Sequence, residues 1–197
     1  MPFNYRRGHQ MAILDPRLNN PHTAPPTLLD PPLTYNRWRV DAAHHSPQHI
    51  LAWAARVAEG VPGTGRLDAL HLMAHGNRAL MQIGSGMLDA SNLHLFAPLQ
   101  GKAGWIVFWS CLIGSDTAGW YRGHPEYFGQ QVARTVGCRV VVAHEPQTYS
   151  WLGGMVDFGD WEGPVDIFEP DGAWATHQDY NPFRAPSRLD LEAMIFR

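Results

Sequence analysis

The sequence predicts an α/β fold with a mostly parallel central sheet and an antiparallel edge. Three short apolar runs, each bounded by turn residues, have the character of strands buried on both faces; they cover residues 67–74, 105–110 and 138–143. Segments with apolar residues at helical spacing lie between them, and strand–helix–strand order implies parallel strands with right-handed crossovers. From Thr148 to Phe168 the pattern changes to short strands and glycine turns, which indicates the antiparallel edge.

The first 36 residues are predicted to form a proline-rich arm, separate from a domain over residues 37–197. Seven prolines fall in the first 32 positions, and this density argues against a continuous helix or a central strand. The arm is either a solvated tail or a segment laid over the domain. The alternative is a pro-peptide or a segment that binds a partner protein, with Ile13-Leu14 and Leu28-Leu29 as docking points.

The domain is predicted to begin with a βαβ unit. A first strand over residues 38–43 leads into a helix, and the next strand runs to Ala74. The helix signals are a capping serine, a proline at the first helical position and a terminating glycine: Ser46, Pro47 and Gly60.

A second strand–helix–strand passage is predicted between His75 and Cys111. It contains a hairpin over residues 79–88 and a short helix capped at residue 91 or 92. The later elements are a polar loop over 114–123, a helix from Pro125 to Gly137, the strand 138–143 and a terminal helix over Ser187–Arg197.

Charge and cysteine content limit the range of functions. A net charge of −3 and a pI near 6.4 give no support for nucleic acid or an anionic membrane as partner. The two cysteines, Cys111 and Cys138, do not make a disulfide framework and fit a reducing compartment. No run approaches the ~20 apolar residues of a membrane span, and the N-terminus lacks the apolar core of a secretory signal. We therefore expect a cytoplasmic protein, or an effector secreted without such a signal.

Two of the apolar runs end in reactive side chains. The first is followed at once by His75-Gly76 and the second by Cys111. Parallel strands end at one edge of a sheet, so His75 and Cys111 emerge side by side if their strands are neighbours. An imidazole beside a thiol can accept its proton and return it to a leaving group. The backbone N–H groups of Gly76 and Cys111 are natural donors to an oxyanion.

The two motifs together resemble those of a known superfamily of cysteine peptidases. They are Leu70-His71-Leu72-Met73-Ala74-His75-Gly76 and Ile106-Val107-Phe108-Trp109-Ser110-Cys111. Their order and strand context resemble the caspase–gingipain–legumain–separase superfamily (clan CD). The style is that of bacterial members, namely gingipain-like proteins, CHAT-domain proteins and the self-processing protease domains of large toxins. The resemblance covers roughly residues 38–170.

The resemblance implies a caspase-like α/β/α fold with His75 as general base and acid and Cys111 as nucleophile. The N–H groups of Gly76 and Cys111 would form the oxyanion hole. It also implies a specificity pocket beside the dyad, and Asp116 and Arg122, of opposite charge, are both candidates for substrate binding. Toxin-type members are activated by inositol hexakisphosphate through a dense basic patch. With 15 basic residues, of which one is a lysine, this chain is not expected to share that activation.

Several further histidines are candidates for the site. His144-Glu145 follow the strand 138–143, so they either line a substrate groove or belong to a solvated loop. His71 and His75 are four apart, but on a strand rather than a helix, so no metal site is predicted. The chain has no Walker loop and no G-x-G-x-x-G motif, and no other cofactor is predicted. The residues considered for orienting the His75 ring are Asp41 and the cluster His44, His45 and His49.

The leading hypothesis is a cysteine endopeptidase that cleaves peptide bonds through a His–Cys dyad and a thioacyl-enzyme intermediate. Its partner is a protein or peptide substrate. The alternative is a catalytically inactive caspase-like module that binds protein. A third reading is a different hydrolase or transferase that uses the same dyad.

Overall fold

The computed structural model describes residues 9–18, 36–114, 127–146, 150–152, 155–157 and 165–177. These residues form a seven-stranded sheet, a three-stranded antiparallel sheet and a two-stranded hairpin. The strands are β1 (Gln10–Leu14), β2 (Asn36–Arg39), β3 (Leu67–Met73), β4 (His75–Asn77), β5 (Leu80–Ile83), β6 (Gly86–Leu88), β7 (Ala103–Trp109), β8 (Arg139–Ala143), β9 (Ser150–Leu152), β10 (Met155–Asp157), β11 (Val165–Phe168) and β12 (Trp174–His177). The helices are α1 (Pro47–Glu59) and α2 (Phe128–Val136), with 3₁₀ helices over Pro16–Leu18 and Ala90–Leu99.

The seven-stranded sheet is mixed and mostly parallel. Its strand order is β12-β11-β8-β7-β3-β1-β2. The five strands from β8 to β2 pair in parallel, whereas β11 pairs in antiparallel fashion with β8 on one side and β12 on the other. The predicted α/β class, with a mostly parallel sheet and an antiparallel edge, is confirmed.

β1 shows that the prediction of an irregular N-terminal arm was wrong for residues 10–14. The whole strand is buried, and it pairs in parallel with β2 on one side and β3 on the other. The reason is local, because no proline interrupts the run between Pro2 and Pro16. A strand needs only about five such residues, and the high proline content of the whole segment obscured this gap. The proposed docking point Leu28-Leu29 lies outside the described residues.

α1 is the helix predicted after the first domain strand. The Ser46 hydroxyl accepts the His49 backbone N–H at 3.2 Å, Pro47 occupies the first helical turn, and Gly60 is the C-cap. The apolar face of α1 packs into the main core, where Ile50, Leu51, Ala54 and Ala58 are buried. β2 and β3 are parallel, as the βαβ pattern predicts, but β1 lies between them.

The segment after β3 forms the three-stranded sheet β4-β5-β6. β5 and β6 are the predicted hairpin, and β4 adds His75-Gly76-Asn77 as a third strand that the sequence analysis did not predict. The short helix that follows is a 3₁₀ helix capped by Asp89, whose carboxylate accepts the Ser91 N–H at 2.7 Å. The cap therefore lies two residues before the earlier of the two predicted positions.

The core has two parts, one on each face of the large sheet. α1, α2 and the second 3₁₀ helix pack against the first face, which carries Leu72 and Phe108 among its buried side chains. The second face buries a separate cluster that includes Met73 and Trp109. Gly137 is the C-cap that terminates α2, as predicted, and its φ of 69° is left-handed. The predicted terminal helix lies outside the described residues, and within them no helix is long and apolar enough to cross a bilayer.

Candidate active site

The strand ends that carry His75 and Cys111 are neighbours. β3 and β7 are hydrogen-bonded in parallel, with Met73 opposite Trp109, and the Ala74 N–H donates to the Trp109 carbonyl at 3.4 Å. His75 and Cys111 each follow that pair by two residues. The register therefore brings the two segments to the same point on the C-terminal edge of the sheet.

A buried serine joins these two strand ends. The Ser110 hydroxyl donates to the Ala74 carbonyl at 2.9 Å. Gly76 packs directly on this bridge, because a Cβ atom at Gly76 would meet the Ser110 hydroxyl and lie 2.5 Å from the Cys111 carbonyl oxygen. Glycine at position 76 is thus required by the close approach of the two segments.

Replacing Gly76 by alanine is expected to destabilise the fold by about 1–3 kcal/mol, since the added methyl group has no room. The Ser110 hydroxyl is held by its hydrogen bond, and the Cys111 carbonyl belongs to the backbone, so neither can move aside cheaply. Urea denaturation would measure the change. Gly60→Ala is the matched control, because a Cβ atom there is 3.4 Å from its nearest neighbour and φ is −77°. Equal midpoints for Gly76→Ala and wild type would contradict the expectation.

The His75 ring is exposed, and a backbone carbonyl contacts it. Its Nε2 lies 2.9 Å from the carbonyl oxygen of Arg17. A carbonyl oxygen only accepts hydrogen bonds, so Nε2 must carry the hydrogen. In the neutral ring, Nδ1 is then the nitrogen that can accept a proton.

The polar residues considered for orienting His75 pair with one another instead. The Asp41 carboxylate contacts His44 Nδ1 at 2.8 Å, and the Asp41 N–H donates to His45 Nδ1 at 2.9 Å. The hydrogen bond from His44 lowers the pKa of Asp41 to about 2, and the same contact raises the pKa of His44. The residue that contacts the His75 ring is Arg17, which lies in the segment predicted to be an irregular arm.

Cys111 is a half-buried thiol at the start of a sharp turn. Leu112 has φ of 53°, a left-handed conformation that costs a residue with a side chain roughly 1–2 kcal/mol. Two backbone hydrogen bonds hold the turn, from Leu112 N–H to the Glu145 carbonyl at 3.2 Å and from Gly114 N–H to the Ala143 carbonyl at 2.8 Å. They fix the segment after Cys111 against the end of β8.

The second cysteine provides a contrast with Cys111. Cys138 is buried, with 1% of its surface exposed. Burial raises the pKa of its thiol to about 12, so almost none of it is thiolate at neutral pH. Cys138 has the character of a small core residue.

The predicted substrate-binding residues differ in their exposure and position. Glu145 is exposed, and its backbone contacts the turn after Cys111. His144 is buried with its Nε2 2.9 Å from the Asp166 carboxylate and 3.1 Å from the Tyr127 hydroxyl, so it does not line an open groove. The two candidates of opposite charge, Asp116 and Arg122, lie outside the described residues.

His71 has both ring nitrogens engaged within the core. Trp109 Nε1 donates to its Nδ1 at 3.0 Å, and its Nε2 lies 2.7 Å from Gln10 Oε1. Neither nitrogen has a lone pair directed at a metal. Across the part of the chain that the structure describes, no group of three or more His, Cys, Asp or Glu side chains could hold a metal ion.

Comparison with known proteins does not assign the site. No protein-family model and no curated protein matches the chain. Function therefore has to be inferred from the geometry at the ends of β3 and β7.

Three residues of this geometry were missed in the sequence: Asp15, Arg17 and Ser110. Asp15 directly follows the apolar run Met11–Leu14, the same pattern that drew attention to His75 and Cys111. Its neighbour Pro16 caused it to be assigned to the arm. Ser110 was visible as the last residue of its run, but only the structure shows its bond to Ala74.

Proposed function

We propose that this chain is a cysteine endopeptidase in which His75 and Cys111 form the dyad. The observation that carries the proposal is the adjacency of the two strand ends, where Gly76 packs on the Ser110 side chain and the Cys111 carbonyl. The resemblance to caspase-like peptidases supports it with the order of the two motifs. A protein or peptide is the proposed substrate.

The proposed reaction begins with proton transfer from the Cys111 thiol to His75 Nδ1. The thiolate attacks the carbonyl carbon of the scissile peptide bond, and the N–H groups of Gly76 and Cys111 donate to the resulting oxyanion. When the C–N bond breaks, the imidazolium returns its proton to the departing amine. Water, deprotonated by His75, then hydrolyses the thioester and regenerates the thiol.

The contact with Arg17 suits both protonation states of His75. The Arg17 carbonyl accepts the Nε2 hydrogen when the ring is neutral and continues to accept it when the ring is imidazolium. The ring therefore need not reorient between accepting and returning the proton, which is the preorganisation that proton transfer requires.

Alkylation by iodoacetamide at pH 7, followed by mass spectrometry, tests the proposal without knowledge of the substrate. We expect Cys111 to be labelled at least about a hundredfold faster than Cys138, whose buried thiol is almost wholly protonated. Cys111 should also react faster in the folded protein than in the urea-unfolded chain, because the proposed dyad can exist only in the folded state. The same preparation is then incubated with a mixed peptide library.

The results separate the proposal from its alternatives. Slower labelling of Cys111 in the folded protein than in the unfolded chain would count against an activated thiol. Fast labelling with no cleavage, combined with capture of an intact protein, would favour the inactive binding module. Fast labelling with transfer of an acyl group to an acceptor other than water would favour a transferase.

A further inference from the structure

We propose that Asp15 is a positioning residue that fixes the His75 ring through Arg17. By this proposal Asp15 holds the Arg17 peptide so that its carbonyl accepts the Nε2 hydrogen, which leaves Nδ1 to face the thiol. The inference rests on the proposed function for its catalytic consequence, but the arrangement of the ring can be measured without any substrate.

Asp15 is a buried carboxylate with four N–H donors. Its Oδ1 accepts from the Arg17 backbone N–H at 2.9 Å and from Arg17 Nε at 2.8 Å. Its Oδ2 accepts from Arg17 Nη2 at 2.6 Å and from the Gly84 N–H at 2.8 Å. The side chain has no exposed surface, whereas that of Arg17 is 31% exposed. Asp15 thus holds both the backbone and the side chain of Arg17.

The same contacts join the three elements that surround His75. The Asp15 N–H donates to the Met73 carbonyl at 2.8 Å, which ties the end of β1 to the end of β3. Arg17 Nη2 also donates to the Gly84 carbonyl at 2.8 Å, in the turn between β5 and β6. His75 itself lies on β4 and pairs with Gln82 on β5. The donor and the acceptor of the His75 hydrogen bond therefore belong to one connected frame.

This frame determines where the Arg17 carbonyl points. A carbonyl rotates with the dihedral angles on either side of its peptide, and residue 17 is held at its N–H and at its guanidinium group. The carboxylate and guanidinium charges compensate each other, so the fixed carbonyl does not bring a net charge to the ring. Loss of the Asp15 charge would weaken the hold on the Arg17 N–H and guanidinium group. The bond from Leu18 N–H to the Asp15 carbonyl at 3.2 Å and the contact of Arg17 with Gly84 would remain, so the carbonyl should become less constrained rather than free.

Histidine ring NMR of Asp15→Asn tests the proposal directly. Long-range ¹H–¹⁵N correlation, with the His75 signals assigned from His75→Gln, should show the Nε2–H tautomer in the wild type. Asp15→Asn should give a mixture of tautomers and slow the alkylation of Cys111 by about tenfold to a hundredfold, the range expected for a small displacement of a reacting group. Arg17→Lys keeps the positive charge but loses the two-pronged contact, and should give a smaller change in the same direction.

Glu169→Gln is the matched control. It breaks the 2.9 Å ion pair with Arg139 at the opposite edge of the sheet, so it also removes one carboxylate–arginine contact. It should leave both the His75 tautomer and the alkylation of Cys111 as in the wild type. If Asp15→Asn fails to fold, Arg17→Lys supplies the readout, because Arg17 is partly exposed.

The outcomes distinguish this inference from the proposed function. A wild-type His75 with hydrogen on Nδ1, or a tautomer that does not change in Asp15→Asn and Arg17→Lys, would overturn the inference even in an active peptidase. A tautomer that changes in these variants, but not in Glu169→Gln, would support it. If the tautomer changes in this way but the protein cleaves no peptide, the positioning role of Asp15 is supported and the proposed function is contradicted.

Discussion

If the proposed function holds, exchange of Cys111 for alanine is expected to reduce peptide cleavage by more than about 10³-fold, because the proposed nucleophile is lost. His75→Ala leaves the thiol but removes the proposed base, and should reduce cleavage by about 10²–10⁴-fold. The rate constants are measured on the best substrate from the peptide library. Because each substitution removes a part of one unit, the double variant should lose little more than Cys111→Ala alone.

Stability measurements keep this result from being ascribed to unfolding. Cys111 is half-buried and His75 is exposed, so both variants should unfold within about 1 kcal/mol of the wild type. Cys138→Ala and His44→Ala are matched controls, since each removes the same kind of side chain away from the site. Full cleavage by Cys111→Ala would show that the activity belongs to another nucleophile or to a contaminant.

Acid is expected to destabilise the protein through His71. Burial lowers the pKa of His71 to about 4, against an ordinary value near 6.5. His71 in the unfolded chain therefore binds a proton as the pH falls below about 6.5, whereas in the folded protein it binds one only near pH 4. The free energy of unfolding therefore decreases as the pH falls through this range. The gap between the two pKa values corresponds to about 3 kcal/mol, of which most should be lost between pH 7 and pH 4.5.

The hydrogen bonds of His71 give the physical reason for this resistance. Trp109 donates to Nδ1 and Gln10 accepts from Nε2, which is the pattern of a neutral ring. A proton on Nδ1 would leave the Trp109 N–H facing another N–H within the core. The His44–Asp41 pair acts in the opposite direction, because the pKa of His44 is raised, but both side chains are exposed and the effect is screened.

Urea denaturation at pH 7 and pH 4.5 measures the effect of acid. His71→Gln retains a donor and an acceptor but cannot titrate, so the difference in unfolding free energy between the two pH values should shrink by about 2–3 kcal/mol. The exposed His94→Gln is the matched control and should keep the wild-type difference. An unchanged difference in His71→Gln would contradict the assignment to His71.

The fold was largely predictable because buried parallel strands and capped helices leave strong local signals. The apolar runs at β3, β7 and β8 have the composition of strands, and Ser46-Pro47 marks the start of α1. β1 was missed because five suitable residues lay in a segment dominated by prolines. Its pairing with β3 is a long-range property that local pattern does not contain.

The chemistry of the candidate site could be predicted from the sequence, but the contacts that position its residues could not. His75, Gly76 and Cys111 stand at strand ends, where a rule about parallel sheets applies. The Arg17 carbonyl could not be predicted, since every residue has a carbonyl and only the tertiary structure selects one. His144 followed the same rule as His75, yet its ring is buried against Asp166 on an antiparallel strand.

The place of β1 in the sheet also bears on the order of folding. β1 lies between β2 and β3, both of which follow it in the chain, and its end is joined to β3 by a contact between residues 59 positions apart. Closing so long a loop is entropically costly, so contacts of this kind form slowly. The pairings of β3 with β7 and of β7 with β8 span shorter separations, from Leu67 to Ala103 and from Trp105 to Arg139, and are expected to form before that of β1 with β3. The His75 ring would then acquire its backbone partner only when the N-terminal strand inserts, which makes the completed site a late product of folding.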